Sequence, residues 1–316
     1  MNKKVVVLGG GTGLSTLLRG LKQFPFDITA IVAVSDDGKS TGRLREEFST
    51  PAVGDLRQVI VALSETEPLF QKLMNYRFDT YSDLDGHALG NLLITGVSDV
   101  AGGMAKGIES LSKVLNLKGK VLPLTEDETV TLIAKTTDGT IIEGEQNITE
   151  SKKRKESVSY KKNPKILPEV LKEIKKADLI VLSMGSIFTS ILPNLICQEM
   201  KDAIDESKAE VMYICNIMTQ PGETDNFKAS DHVEIINKHL GEKKIAVVLA
   251  NNGKISDDLK KKYETEEQKD PVIFDSENLK NKKIQIISDD FVNIEDNTIR
   301  HNTTKMGFHI FSYLIL

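Results

Sequence analysis

Short apolar runs rich in valine and isoleucine recur along the chain, each closing on glycine, serine, asparagine or aspartate before a stretch with helical periodicity. Runs of this kind, apolar on both faces, predict buried parallel strands joined by crossover helices. Six are legible, at residues 5–8, 28–34, 179–182, 211–215, 245–250 and 284–287. The first leads into Gly9-Gly10-Gly11-Thr12-Gly13-Leu14-Ser15, the second into Ser35-Asp36-Asp37-Gly38, and the third into Ser183-Met184-Gly185-Ser186. The others lead into a long loop from Asn216, into Asn251-Asn252-Gly253, and into Ser288-Asp289-Asp290. In a doubly wound α/β sheet the carboxyl ends of parallel strands share one edge, so all six loops are expected to face one crevice, with a ligand in it.

Between about residues 121 and 160 the texture changes. Residues 130–134, the Asp138-Gly139 pair and Ile141-Ile142 read as an antiparallel hairpin with a tight turn. The chain is therefore expected to be a single α/β domain over residues 1–316 with a β excursion around 121–163. Residues 151–165 are dense in lysine and read as a solvated loop or an outer strand. Residues 254–269 read as a charged, exposed helix with Tyr263 its one aromatic, and residues 306–316 as a closing helix.

Composition narrows the function classes. A net charge of -5 and a pI near 5.7 provide no global positive field, which argues against nucleic acid or anionic lipid as a partner. Cys197 and Cys215 sit in apolar surroundings, as small core residues of a reducing compartment do, and form no disulfide or zinc pattern. The first apolar run is too short for a signal peptide or a membrane span, so a cytoplasmic location is expected.

The loops carry the candidate chemistry. Gly10, Gly11, Thr12 and Gly13 open a helix after the first strand, where backbone can pass close to a ligand and free amides favour an anion. A dinucleotide fingerprint starting at Gly9 or Gly11 would need a third glycine where Leu14 or Thr16 stands. Gly38-Lys39-Ser40-Thr41 has the ending of a P-loop, but Ala33 replaces its first glycine and two carboxylates stand inside the cradle. Ser35, Asp36 and Asp37 suit a hydroxyl acceptor, a general base or Mg²⁺ ligation, or else an Asx-turn with a helix cap. Asp55 and Arg57 read as a helix start with an arginine suited to phosphate oxygens or to a surface ion pair. His87 and Asn91 fall one helical turn apart, as joint ligand donors or as satisfied core residues. Asn216, Thr219 and Gln220 offer amide and hydroxyl groups for a base edge or sugar.

Together the glycine loop, Ser35-Asp36-Asp37-Gly38, Gly54-Asp55-Leu56-Arg57, Gly86-His87 with Gly90-Asn91, and Asn216-Ile217-Met218-Thr219-Gln220-Pro221-Gly222-Glu223-Thr224-Asp225 resemble one family. It is the YvcK-like gluconeogenesis factors, within the superfamily of CofD-like 2-phospho-lactate transferases. The resemblance runs from the first strand to Arg300-His301, and the Met-Thr-Gln-Pro-Gly-Glu-Thr-Asp run points to the YvcK-like branch. It implies a Rossmann-like three-layer α/β/α core, a UDP-sugar ligand such as UDP-N-acetylglucosamine, regulation of central carbon flux and of cell shape and envelope building, and a homodimer. On that reading the diphosphate lies on Gly10 to Gly13 and Gly185-Ser186, the sugar or ribose near Asp36, Asp37 and Asn216, with further contacts from Tyr263 and Arg300. The CofD-like branch instead transfers a phospho-lactyl group from a nucleotide-activated donor with Mg²⁺, which would give Asp36, Asp37 and His87 catalytic roles and seat the metal on Asp37 or Asp55. Two departures stand out: Gly38-Lys39-Ser40-Thr41-Gly42 where the family more often has Gly-Gly-Ser-Ser-Gly, and Ser183-Met184-Gly185-Ser186 where Gly-Pro-Gly-Ser is usual.

Overall fold

The computed structural model describes residues 2–65 and 68–315. The side chain of Lys39 and the terminal Leu316, both within stretches read above, lie outside the described residues. In chain order the strands are β1 (Lys3–Gly9), β2 (Phe26–Val32), β3 (Lys120–Pro123), β4 (Leu132–Thr136), β5 (Ile141–Glu143), β6 (Lys155–Tyr160), β7 (Leu179–Leu182), β8 (Glu210–Ile214), β9 (Ile245–Asn251), β10 (Gln285–Asp289), β11 (Val292–Glu295) and β12 (Thr298–His301). The helices are α1 (Gly11–Leu21), α2 (Lys39–Phe48), α3 (Gly54–Leu63), α4 (Pro68–Asn75), α5 (Leu89–Ala101), α6 (Met104–Val114), α7 (Glu145–Glu150), α8 (Pro168–Lys176), α9 (Gln198–Glu206), α10 (Ala229–His239), α11 (Asp257–Glu267), α12 (Ser276–Asn281) and α13 (Thr303–Ile315).

Seven strands form one sheet in the order β10-β9-β8-β7-β1-β2-β3, every neighbouring pair parallel. The six anticipated strands are all in it. The seventh, β3, is a correction: Val121 and Leu122 belong to the central sheet and not to the excursion. This strand is short, exposes Lys120 and ends in Pro123, which a sheet accepts only at an edge, so its sequence lacks the long apolar run of a central strand.

Helices flank the sheet in α/β/α layers. In α1 the buried Leu14, Leu17, Leu18 and Leu21 follow a helical i, i+3, i+4, i+7 rhythm, and α1 packs on α3 and α13. The excursion is a three-stranded antiparallel sheet, β5-β4-β6, with β6 formed by the lysine-dense segment as an outer strand. Its Lys155 is buried, its main-chain N–H donating to the Gly222 carbonyl and its ammonium to the Ser151 carbonyl. No helix among the described residues is long and apolar enough to cross a membrane.

Candidate functional site

The chain runs from β1 to one side of the sheet through β2 and β3, then returns to the other side at β7. This reversal between β1 and β7 is the topological switch point, where open α/β sheets leave a crevice beyond their strand ends. A cavity of about 510 Å³ lies there, the size of a small-molecule site. Thr12 and Gly13 from the start of α1, Gly185 after β7, and Asn216, Thr219 and Gln220 after β8 line it, facing Tyr263 of α11 and Arg300 of β12. First-turn amides of α1 have no intrahelical acceptor, and of these Gly11 donates to Asp55.

The far wall carries the cations. Arg300 is exposed, and among the described residues its guanidinium has no hydrogen-bonding or ion-pair partner. Lys269 pairs with Glu267 at 2.7 Å, and burial pushes the neighbouring His301 imidazole down to about 4, so it is neutral at physiological pH. The Tyr263 ring is buried, and its hydroxyl accepts the Ile299 N–H at 2.8 Å, which fixes α11 against β12.

The Ser183-Met184-Gly185-Ser186 turn is held by side chains from the β8 loop. The Asn216 carboxamide accepts the Gly185 N–H at 3.0 Å and donates to the Gly185 carbonyl at 2.7 Å. Gly185 adopts φ +146°, a region closed to most side chains, and a Cβ on Gly13 would lie 1.8 Å from the Met184 carbonyl oxygen. Ser186 is not free for phosphate. Its hydroxyl donates to the Glu223 carboxylate at 2.8 Å and accepts the Thr189 N–H at 3.0 Å, capping the single π-turn Ile187–Ile191. Thr219 is also used in the scaffold, exchanging hydrogen bonds with the Asp270 backbone at 2.7 and 2.9 Å.

A second polar cluster begins at the same glycines. The Asp55 carboxylate accepts the Gly11 N–H and lies against Gly10. Burial, then the nearby Asp36 charge, push its carboxyl up to about 7, against the opposing pull of the Gly11 amide. Asp36 accepts the Thr41 hydroxyl and the Gly38 N–H, both at 2.9 Å, and Ser35 is buried at the same strand end. Asp37 turns away toward the excursion. Its two oxygens accept the Glu145 and Gln146 amides at 3.1 and 2.8 Å, capping α7. Glu145 then points back to Asp36 and Asp37, and burial first among the causes pushes it up to about 7.

Asp55 makes stability depend on pH. A carboxyl whose folded pKa lies above its unfolded one stabilises the fold while protonated, and that contribution is lost as pH rises from 3.8 to about 7. Asp55→Asn is therefore expected to raise stability above pH 7 and to leave it unchanged below the ordinary aspartate value. Urea midpoints of both proteins across this range check the sign; identical midpoints at pH 8 would remove Asp55 from this role.

Arg57, His87 and Asn91 form a buried network behind the cluster. The Arg57 guanidinium donates to Asn91 Oδ1 at 2.9 Å and to Asn75 Oδ1, while Asn91 donates to Ser40 Oγ at 3.3 Å. Ser40 Oγ and His87 Nδ1 are 3.1 Å apart. Arg57 thus belongs to the interior and not to a surface ion pair.

The anticipated residues therefore fall into two groups that meet at Gly10 and Gly11. Thr12, Gly13, Gly185, Asn216, Thr219, Gln220, Tyr263 and Arg300 share the cavity. Gly10, Gly11, Ser35, Asp36, Asp37, Asp55, Arg57, His87, Asn91 and Ser186 do not line it, which corrects the expectation that the polar loops after the strands all open on one crevice. Glu145 was not singled out by sequence, and Glu223 entered only as one position of the family motif and with no role of its own. The signal for Glu223 was its place in the Met-Thr-Gln-Pro-Gly-Glu-Thr-Asp run, and for Glu145 there was none. The donor set offers no ready-made protein cage for Mg²⁺: no group of three or more acidic, histidine or cysteine side chains among the described residues suits a metal ion, and both Asp37 oxygens are committed to α7. Asp55 with Asp36 fits the alternative of one or two carboxylates that share the ion with substrate phosphates.

The model of the family 2-phospho-L-lactate transferase CofD matches residues 5–292. A gluconeogenesis factor of Halalkalibacterium halodurans is 49% identical over 96% of this chain and 94% of its own length. The gluconeogenesis factor of Bacillus subtilis is 45% identical over 96% of both chains. A crystal structure of a Bacillus halodurans protein superposes with a TM-score of 0.94 at 48% identity, covering 98% of this chain and 100% of that one.

Proposed function

Given that the chain belongs to the 2-phospho-L-lactate transferase CofD family, with gluconeogenesis factors among its relatives, we propose that it is a UDP-sugar-binding regulator of central carbon metabolism and of cell shape and envelope biosynthesis. UDP-N-acetylglucosamine is the ligand we assign to the cavity, and a cytoplasmic setting accompanies it. One observation carries the reading: a nucleotide-sized cavity at the switch point sets the amides of an α-helix N-terminus opposite an uncommitted arginine. These two groups suit the two sides of a diphosphate. Gln220 Oε1 is buried without a partner among the described residues and suits an N–H donor such as the uracil imide. Asp36 and Asp37 support binding rather than turnover, since their oxygens hold the protein's own hydroxyl and amides.

UDP-N-acetylglucosamine is expected to raise the melting temperature, with about 2.7 kcal/mol of stabilisation at a hundredfold excess over Kd. Arg300→Ala should weaken binding roughly tenfold or more, the worth of a charge-assisted hydrogen bond. Differential scanning fluorimetry at millimolar ligand decides it, and no shift in the wild type counts against the whole reading.

A second reading is a Mg²⁺-dependent transferase of phospho-lactyl type acting on a nucleotide-activated donor. It is favoured by Asp55 and Glu145, two carboxyls poised near neutrality beside the glycine loop. Asp55 and Asp36 would hold the ion, which supplies charge neutralisation at the phosphates. Release of nucleotide from a donor with Mg²⁺ present, abolished by Asp55→Asn, would establish this reading over the first.

A further inference from the structure

Another cavity, of about 330 Å³, shares no lining residue with the crevice. It is enclosed by the end of α2 and the turn after it, by one face of α5, by the start of α6 and by the segment that follows β3. Its α5 wall is Thr95, Ser98, Asp99 and Gly102, which follow the i, i+3, i+4, i+7 spacing of a single helix face. Against that face α6 packs closely: a Cβ on Gly107 would lie 2.7 Å from Ser98, and the Ser98 hydroxyl donates to Met104 Sδ at 3.3 Å. The opposite wall is held as firmly. Arg45 donates to the Glu128 and Val130 carbonyls at 3.3 and 2.7 Å, which fixes the backbone that presents the Glu128 side chain.

The charge of this cavity is one-sided. Asp99, Glu126 and Glu128 line it, and no lysine, arginine or histidine does. Glu126 is spent on the fold: it accepts the Ala105 N–H at 2.8 Å and so caps α6, whose own N-cap position is Gly103. The Asp99 and Glu128 carboxylates have no hydrogen-bonding or ion-pair partner among the described residues. Two free carboxylates on a surface do not need a ligand. The independent sign is Thr95, which is 6% exposed and whose hydroxyl, shielded from water, has no partner among the described residues. A buried hydroxyl left unpaired costs stability, and at a cavity wall a bound group completes it.

The remaining lining selects among cations. Phe48, 57% exposed, and the buried Pro51 and Met104 give the cavity an aromatic ring and an aliphatic side for a carbon chain. No group of three or more acidic, histidine or cysteine side chains among the described residues suits a metal ion, so the match is to an organic cation and not to a bare divalent one. We propose that this cavity is a binding site for an aliphatic diamine or polyamine. One ammonium pairs with Asp99 and another with Glu128, and carboxylates on two separate elements favour two positive ends over one. The methylene chain lies along Pro51, Met104 and the Phe48 ring, and an N–H of the amine donates to the Thr95 hydroxyl oxygen. This site stands whether or not the crevice takes a nucleotide-sugar.

Isothermal titration of the full chain with putrescine and with spermidine at low ionic strength should show saturable, one-to-one binding. Butylamine, which has a single ammonium, should bind about tenfold more weakly or worse. Asp99→Asn and Glu128→Gln, both at exposed positions, should each raise the Kd about tenfold or more. Thr95→Val keeps the side-chain shape without the hydroxyl. It should raise the Kd about three- to tenfold while the melting temperature of the free protein holds or rises, because no bonded partner is lost. Asp83→Asn, in the exposed loop of residues 79–86, removes the same charge and should leave the Kd unchanged. If Thr95→Val fails to fold, the two carboxylate variants decide. The absence of saturable binding with both amines overturns the proposal. So does an equal loss of affinity in Asp83→Asn and Asp99→Asn, which would mean only general attraction to a chain of net charge -5.

Discussion

Glu223→Ala is expected to destabilise the protein by about 3–5 kcal/mol, the largest effect of any single substitution considered. The carboxylate is 3% exposed, and burial raises its pKa against the opposing pull of Ser186, of Lys155 and of the Ile187 and Phe188 amides. Alanine removes the acceptor for the Ser186 hydroxyl and for these two main-chain donors at once, all away from water. The loss lands on the π-turn Ile187–Ile191 and on Gly185 beside it, so the ligand-induced rise in melting temperature should disappear as well. Glu223→Gln retains the volume and one oxygen and should cost only about 1–2 kcal/mol. Urea unfolding at pH 7 measures both; an alanine variant within 1 kcal/mol of wild type, an amount of about the size of one ordinary hydrogen bond, would mean that the turn has another anchor.

Asp37→Ala should release the excursion. The α7 helix has only six residues and is too short to persist on its own, so its start depends on the Asp37 oxygens. Removing a charged cap that serves two amides is expected to cost about 2–3 kcal/mol. Amide hydrogen exchange over residues 145–150 should then accelerate roughly 30- to 150-fold. Exchange is the discriminating readout, because an Asp37 variant without activity would otherwise pass for evidence of catalysis. Unchanged protection of this peptide would show that α7 is held from elsewhere, for instance through the Thr149 to Thr189 hydroxyl contact at 3.4 Å.

How far the sequence reaches depends on the range of the interaction. Five strands of the sheet were legible because each carries a run buried on both faces, and burial of that kind is written in consecutive residues; the sixth, β10, is a half-buried edge strand that shows only its isoleucine run. The hairpin was legible because Asp138-Gly139 encodes its own turn; the chain passes it with Gly139 at φ +82°. The edge strand β3 was not, since an edge strand needs no long apolar run. The glycine loop announced its role locally, and Thr12 and Gly13 do line the cavity.

The α/β class, the succession of strands and loops along the chain, and the glycine-rich start of α1 are written in local patterns of apolar and turn residues. How the polar loops are spent follows from the fold alone. Asp37 and Glu145 are separated by 108 positions, Ser186 and Glu223 by 37, and Arg57 and Asn91 by 34. Whether a carboxylate meets a ligand, a helix start or a buried hydroxyl depends on which distant donor arrives first at its oxygens. No local pattern records that, because each donor is a backbone amide, hydroxyl or guanidinium group that looks the same in sequence wherever it folds.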